Sequence, residues 1–120
     1  MKSIKELYRI GTGPSSSHTM GPRKAAEMFL TRHPEAASFK VTLYGSLAAT
    51  GKGHMTDVAI IDTLKPTAPV DIIWQPKIFL PFHPNGMNFV ALDAGGNELE
   101  NWTVYSVGGC LLYTSDAADD

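Results

Sequence analysis

A single cysteine, Cys110, stands in 120 residues. One thiol forms no internal disulfide and cannot by itself hold an iron–sulfur cluster, which takes three or four thiolates. Charge is sparse too: 18% of residues are charged and the net charge is −2. The ten Lys and Arg are spread from Lys2 to Lys77 without a basic block, so the footprint of a nucleic-acid binder is missing. No apolar run approaches the roughly 20 residues that span a bilayer, and Met1 to Glu6 lacks the apolar core of a signal peptide. The expected setting is therefore the cytosol, with no membrane partner. His18, His33, His54 and His83 show no His-x-x-x-His spacing, which argues against a zinc site built within one helix. A hydrophobic share of 43% is globular, and the length suits one small domain. The few charges fit a surface partly covered by a partner.

Local signals along the chain predict an α+β fold, with about three short helices packed on a small, largely antiparallel sheet. Ser3 and Glu6 have capping-box spacing and predict a first helix through Leu7, Tyr8 and Ile10, stopped by Gly11 and Gly13. Residues 12–19 are rich in Gly, Pro and Ser and read as a loop. Pro22 suits the first turn of a helix through Leu30, and His33-Pro34 ends it. Phe39 to Tyr44 alternates as a half-buried strand does, and the small residues Ser46 to Thr50 follow. Apolar positions predict a helix over Thr56 to Leu64, closed by Pro66, and a strand over Val70 to Trp74. Met87 to Leu92 and Leu99 to Val107 flank Asp93-Ala94-Gly95-Gly96-Asn97, a hairpin signal with glycines available for positive φ.

Three segments could carry chemistry. Gly11 to Thr19 offers clustered hydroxyls, backbone donors and His18 immediately before a helix, the makings of an anion or carboxylate cradle. It lacks the Gly-Lys-Ser/Thr ending of a P-loop, and it reads equally as a Ser-rich connector in which Ser17 or Thr19 caps the helix. Gly51-Lys52-Gly53-His54-Met55-Thr56-Asp57 places a potential base, His54, ahead of a helix, with Asp57 near enough in sequence to orient it. Capping by Thr56 or Asp57 accounts for that segment as well. His83-Pro84-Asn85-Gly86 has turn chemistry. His33 at a helix end is expected to meet terminal carbonyls, and the Met and aromatic residues to pack in the core.

The run Gly13-Pro14-Ser15-Ser16-Ser17-His18-Thr19 resembles the signature of the bacterial iron–sulfur L-serine dehydratases, or L-serine ammonia-lyases. Further landmarks of that family's amino-terminal domain come after it in order: Gly51-Lys52-Gly53-His54 with Thr56-Asp57, then His83-Pro84-Asn85-Gly86-Met87, then Tyr105-Ser106-Val107-Gly108-Gly109. The resemblance implies a β domain, or separate β chain, over residues 1–109. Its partner would be a catalytic α domain or α chain whose cysteines hold a [4Fe–4S] cluster, so this chain itself binds no cofactor and no metal and is expected to be inactive alone. The implied reaction eliminates water from L-serine to give pyruvate and ammonia, with one cluster iron acting as Lewis acid on the hydroxyl. The implied base is His54 first and His18 second. Ser15, Ser16, Ser17 and Thr19, together with Lys52, Thr56 and Asp57, are the implied substrate-binding residues. The resemblance also extends to a regulatory ligand-binding domain of phosphoglycerate dehydrogenases, which keeps open a serine-sensing role, and a plain scaffold role, beside the catalytic one. The full enzyme is expected to be an oligomer.

Residues 110–120 depart from the family pattern. Cys110 stands where a third glycine is expected, and residues 111–120 look like translated adapter read-through, so a gene fragment with a non-native or disordered tail is expected. The domain is then expected to be cut short at its C-terminal end, with a hairpin edge left exposed.

Overall fold

Alternation over residues 38–44 sends Phe39, Val41 and Leu43 into the interior while Lys40 stays exposed, the pattern of a strand covered on one face. The computed structural model describes residues 2–9, 20–51, 56–80, 85–107 and 110–116. Within them run β1 (Lys2–Arg9), α1 (Gly21–Arg32), β2 (Ser38–Tyr44), α2 (Gly45–Gly51), α3 (Thr56–Leu64), β3 (Val70–Gln75), β4 (Gly86–Leu92), β5 (Glu98–Val107) and β6 (Cys110–Asp116). The strands form one sheet in the order β1-β6-β5-β4-β2-β3. Every neighbouring pair is antiparallel except β2 and β3, which are parallel and are joined through α2 and α3, as a parallel pair requires. The fold is α+β.

One face of the sheet carries the core. Register places Phe39 beside Ala91, Val41 beside Phe89 and Leu43 beside Met87, and then Phe89 beside Trp102 and Met87 beside Val104. Ala25, Ala26 and Phe29 of α1, Leu47 and Ala48 of α2, and Ile60 and Leu64 of α3 close over these side chains. The opposite face is largely polar, with Asn88 Nδ2 donating to Asn101 Oδ1 at 2.6 Å and to Thr103 Oγ1 at 3.0 Å.

Two elements differ from expectation. The helix expected through Leu7, Tyr8 and Ile10 is a strand, β1, paired with β6 from Lys2↔Asp116 to Arg9↔Cys110. A capping box contributes about 1 kcal/mol, and a continuous backbone ladder outweighs that local preference. Cys110–Asp116, part of the segment set apart in the sequence as a tail, forms β6 between β1 and β5. The small residues after β2 form α2, entered through Gly45 at φ +51, a left-handed backbone that turns strand directly into helix at no Cβ cost.

At the hairpin end several polar groups are paired. Asp93 Oδ1 accepts from the backbone N–H of Gly95 and of Asn97, both at 2.9 Å. The Asn97 amide and these neighbouring donors hold the Asp93 carboxyl below its ordinary value. Arg32, in the last turn of α1, grips Glu100 of β5 through Nε at 3.1 Å and Nη2 at 3.2 Å. Its guanidinium lies 4.5 Å from the Trp102 ring centroid, and Trp102 stacks on Phe29 with centroids 6.0 Å apart. His33 departs from expectation in part. Its backbone N–H reaches Phe29 O and Leu30 O, while its ring Nε2–H donates to Glu100.

Candidate functional site

Strand register gathers one end of the sheet. The pairs Arg9↔Cys110, Val107↔Cys110, Gly86↔Tyr105, Leu43↔Met87 and Tyr44↔Gln75 bring the last residues of β1, β2, β3 and β5 beside the first residues of β4 and β6. Both longer helices begin at this end. α1 finishes at Arg32, bound to Glu100 at the far end, and α3 finishes at Leu64, whose carbonyl accepts from Ala68 just before β3 starts. Two helix N-termini, the positive ends of their aligned peptide dipoles, are therefore turned toward this end of the sheet, which favours negative charge there.

The described parts of three landmarks, Thr56-Asp57, Asn85-Gly86-Met87 and Tyr105-Ser106-Val107, stand at this end, and the residues that flank the remaining landmark, Arg9 and Met20, stand here too. Residues 10–19 stand between Arg9 and Met20, residues 52–55 lead into Thr56, residues 81–84 stand between Leu80 and Asn85, and residues 108–109 between Val107 and Cys110. Ser15, Ser16, Ser17, His18, Thr19, Lys52 and His54 lie outside the described residues, as does His83. Of the expected site residues, the structure describes two: Thr56, fully buried at the head of α3, and Asp57, half-buried in its first turn. Met20, directly ahead of α1, makes no side-chain capping bond, and the expected caps Ser17 and Thr19 lie outside the described residues. Pro22 then stands in the first turn, where its missing N–H costs nothing.

Buried polar side chains concentrate here as well. Among the described residues they are Thr56, Asn85 and Ser106, and all three stand at this end. Asn85 and Ser106 clasp each other: Ser106 N–H donates to Asn85 O at 3.1 Å, and Asn85 Nδ2 donates to Ser106 O at 3.0 Å. The Ser106 hydroxyl is fully buried and has no hydrogen-bond partner, a condition that costs about 1–3 kcal/mol. Next to it, burial pushes the Tyr105 phenol above its ordinary value, so it stays protonated at neutral pH. Asn85 and Ser106 each belong to a family landmark, but neither is expected from the sequence to take a role in the site. The available signal is the period-two run Trp102, Val104, Ser106, which continues an inward-facing series with a hydroxyl.

Apolar surface marks the same end. Among the described residues Met20, Val58, Ile78 and Phe79 are exposed here, Phe79 to 60%, against Leu99 alone at the other end. Exposed large apolar groups gathered in one region signal a covered surface more than scattered ones do. No group of three or more His, Cys, Asp or Glu among the described residues is placed to hold a metal ion. No helix among them is long and apolar enough to cross a membrane.

A family model described as serine dehydratase beta chain matches residues 3–72 and 62–117 of this chain. The L-serine dehydratase of Streptomyces coelicolor is 36% identical over 155 aligned residues, which cover 96% of this chain and 34% of that protein. The L-serine dehydratase of Haemophilus influenzae is 34% identical, over 93% of this chain and 33% of its own length. L-serine dehydratase 2 of Escherichia coli K12 is 37% identical, over 97% of this chain and 26% of its own. The chain thus spans between a quarter and a third of the length of these curated relatives.

Proposed function

This chain belongs to the serine dehydratase beta chain family, and we propose that it is the β part of an L-serine ammonia-lyase that completes its active site against an α component. The observation behind the proposal is that the described residues of three family landmarks, and the residues flanking the fourth, stand at one end of the sheet, where two helix N-termini and the buried polar residues also stand. The exposed Met20, Val58, Ile78 and Phe79 at that end give the α component an apolar surface to cover. The relatives' names supply the substrate, L-serine, and the reaction, dehydration.

Elimination of water from L-serine breaks the Cα–H and Cβ–O bonds. The aminoacrylate formed tautomerises to an imine, and hydrolysis of the imine returns one water and releases pyruvate and ammonia. The Cα–H is weakly acidic, so a base must be placed against it, and the carboxylate must be held by donors so that the placement persists. His54, two positions before the buried Thr56, is proposed as the base, with His18 second to it. Ser15, Ser16, Ser17 and Thr19, directly ahead of α1, are proposed as donors to the substrate carboxylate together with the N-terminal amides of α1 and α3. Lys52, Thr56 and Asp57 are proposed to line the same pocket, with Asp57 orienting His54.

A [4Fe–4S] cluster does not fit the residues of this chain, since Cys110 is its only cysteine and such clusters take three or four thiolates. The cluster is proposed to belong to the α component, in a cytosolic, oligomeric enzyme, and the 120-residue chain alone is proposed to be inactive. The test is product formation. The chain assembled with its α component is expected to convert L-serine to equal amounts of pyruvate and ammonia, and the isolated chain to produce neither. An assembly that consumes no L-serine contradicts the proposal.

A further inference from the structure

The inner face of β5 runs Trp102, Val104, Ser106 toward the landmark end, and each of the three is buried. The first two pack in the core. The third presents a hydroxyl at full burial, and that hydroxyl is the one buried side-chain polar atom among the described residues with no hydrogen-bond partner. Its backbone is not loose. Asn85 engages both the N–H and the carbonyl of Ser106, and on the other side Ser106 registers with the buried Leu111 of β6. The backbone is therefore fixed on both flanks while the hydroxyl is left unmatched, on the face covered by helices and at the end where α1 and α3 begin.

A polar atom held rigidly in the interior without a partner is a net loss to the unliganded fold, and alanine would fill the same space without it. We propose that Ser106 is a substrate-positioning residue whose hydroxyl donates to a carboxylate oxygen of the bound amino acid, beside the N-termini of α1 and α3. This rests on the lyase reading and adds to it a donor from the sheet rather than from the loops. The ligand class comes from the surroundings. Two helix N-termini favour an anionic group, and a neutral hydroxyl accommodates a carboxylate without bringing a charge into the core.

The test compares wild type with Ser106→Ala and Ser106→Cys, each assembled with the α component. Four quantities are read: the thermal midpoint without substrate, L-serine binding by calorimetry, KM and kcat. A donor to the carboxylate predicts that Ser106→Ala weakens L-serine binding and raises KM on the order of 10- to 100-fold, as loss of a hydrogen bond to a charged group does. Its midpoint without substrate is expected to be unchanged or higher, because an unmatched buried hydroxyl is gone. Ser106→Cys, a weak donor of similar size, is expected to fall between the two. Unchanged binding and KM in Ser106→Ala overturns the proposal. A lowered midpoint also overturns it, whatever KM does, because the hydroxyl then serves the fold. A wild-type assembly that binds L-serine but forms no pyruvate sinks the lyase reading alone, since the binding comparison still tests Ser106. A wild-type assembly that does not bind L-serine overturns both.

Discussion

The two ends of the sheet are built to different specifications. At the hairpin end the turn and the end of α1 are tied by paired polar groups. The Asp93 carboxylate takes the turn's backbone donors, Arg32 takes both Glu100 oxygens, and the guanidinium lies over Trp102. At the other end Met20 supplies no side-chain capping bond to α1, the Ser106 hydroxyl is buried without a partner, and apolar side chains face outward. Among the described residues, one end uses its side chains to hold the fold, and the other leaves a buried hydroxyl and several apolar side chains unmatched. The difference teaches where to look for function: stability sits where partners are complete, and binding sits where they are missing.

That contrast can be broken from the hairpin side first. Trp102→Ala removes the stack on Phe29, the contact with Phe89 at 5.9 Å and the platform for Arg32. It is expected to cost about 3–5 kcal/mol in urea unfolding; a cost within about 0.5 kcal/mol, the range of ordinary surface changes, would remove Trp102 from the core account. Gly96→Val comes next. Gly96 has φ +83 with open space around an added Cβ, so the expected cost of about 1–2 kcal/mol is backbone strain alone, and an unchanged unfolding midpoint would count against it.

The smallest effect is at Glu100, where the pair is partly exposed and is worth under about 1 kcal/mol. Burial tends to raise its carboxyl pKa, but hydrogen bonds from Arg32 and His33 outweigh burial and hold it below the usual carboxylate value. A depressed folded value means that the contribution is complete above the unfolded value, about 4.3, and is lost as pH falls through the folded one. The gap in thermal midpoint between wild type and Glu100→Gln is therefore expected to be steady at neutral pH and to close below about pH 4. A gap that stays open on acidification would assign it to packing instead.

Local signals were enough for much of this fold. The hairpin, the body of α1, α3 and strands β2 and β3 are legible from alternation, helical spacing and turn residues in their own segments. β1 is not, because its ladder partner lies more than a hundred positions away and the capping-box spacing of Ser3 and Glu6 points the other way. The Arg32–Glu100 pair is equally hidden, with 68 positions between its members. At the site the same rule applies. All the candidate residues stand in recognisable motifs, but the part that Asn85 and Ser106 play comes from burial and from their mutual hydrogen bonds, which depend on the whole sheet.

Under the proposed function the landmark end does the chemistry and the hairpin end does not. The direct measurement is the rate of pyruvate formation by the assembled enzyme carrying His54→Ala, taken beside its thermal midpoint. Loss of a general base predicts a fall in kcat on the order of 10²- to 10⁴-fold with the midpoint unchanged. Turnover at the wild-type rate would contradict the claim.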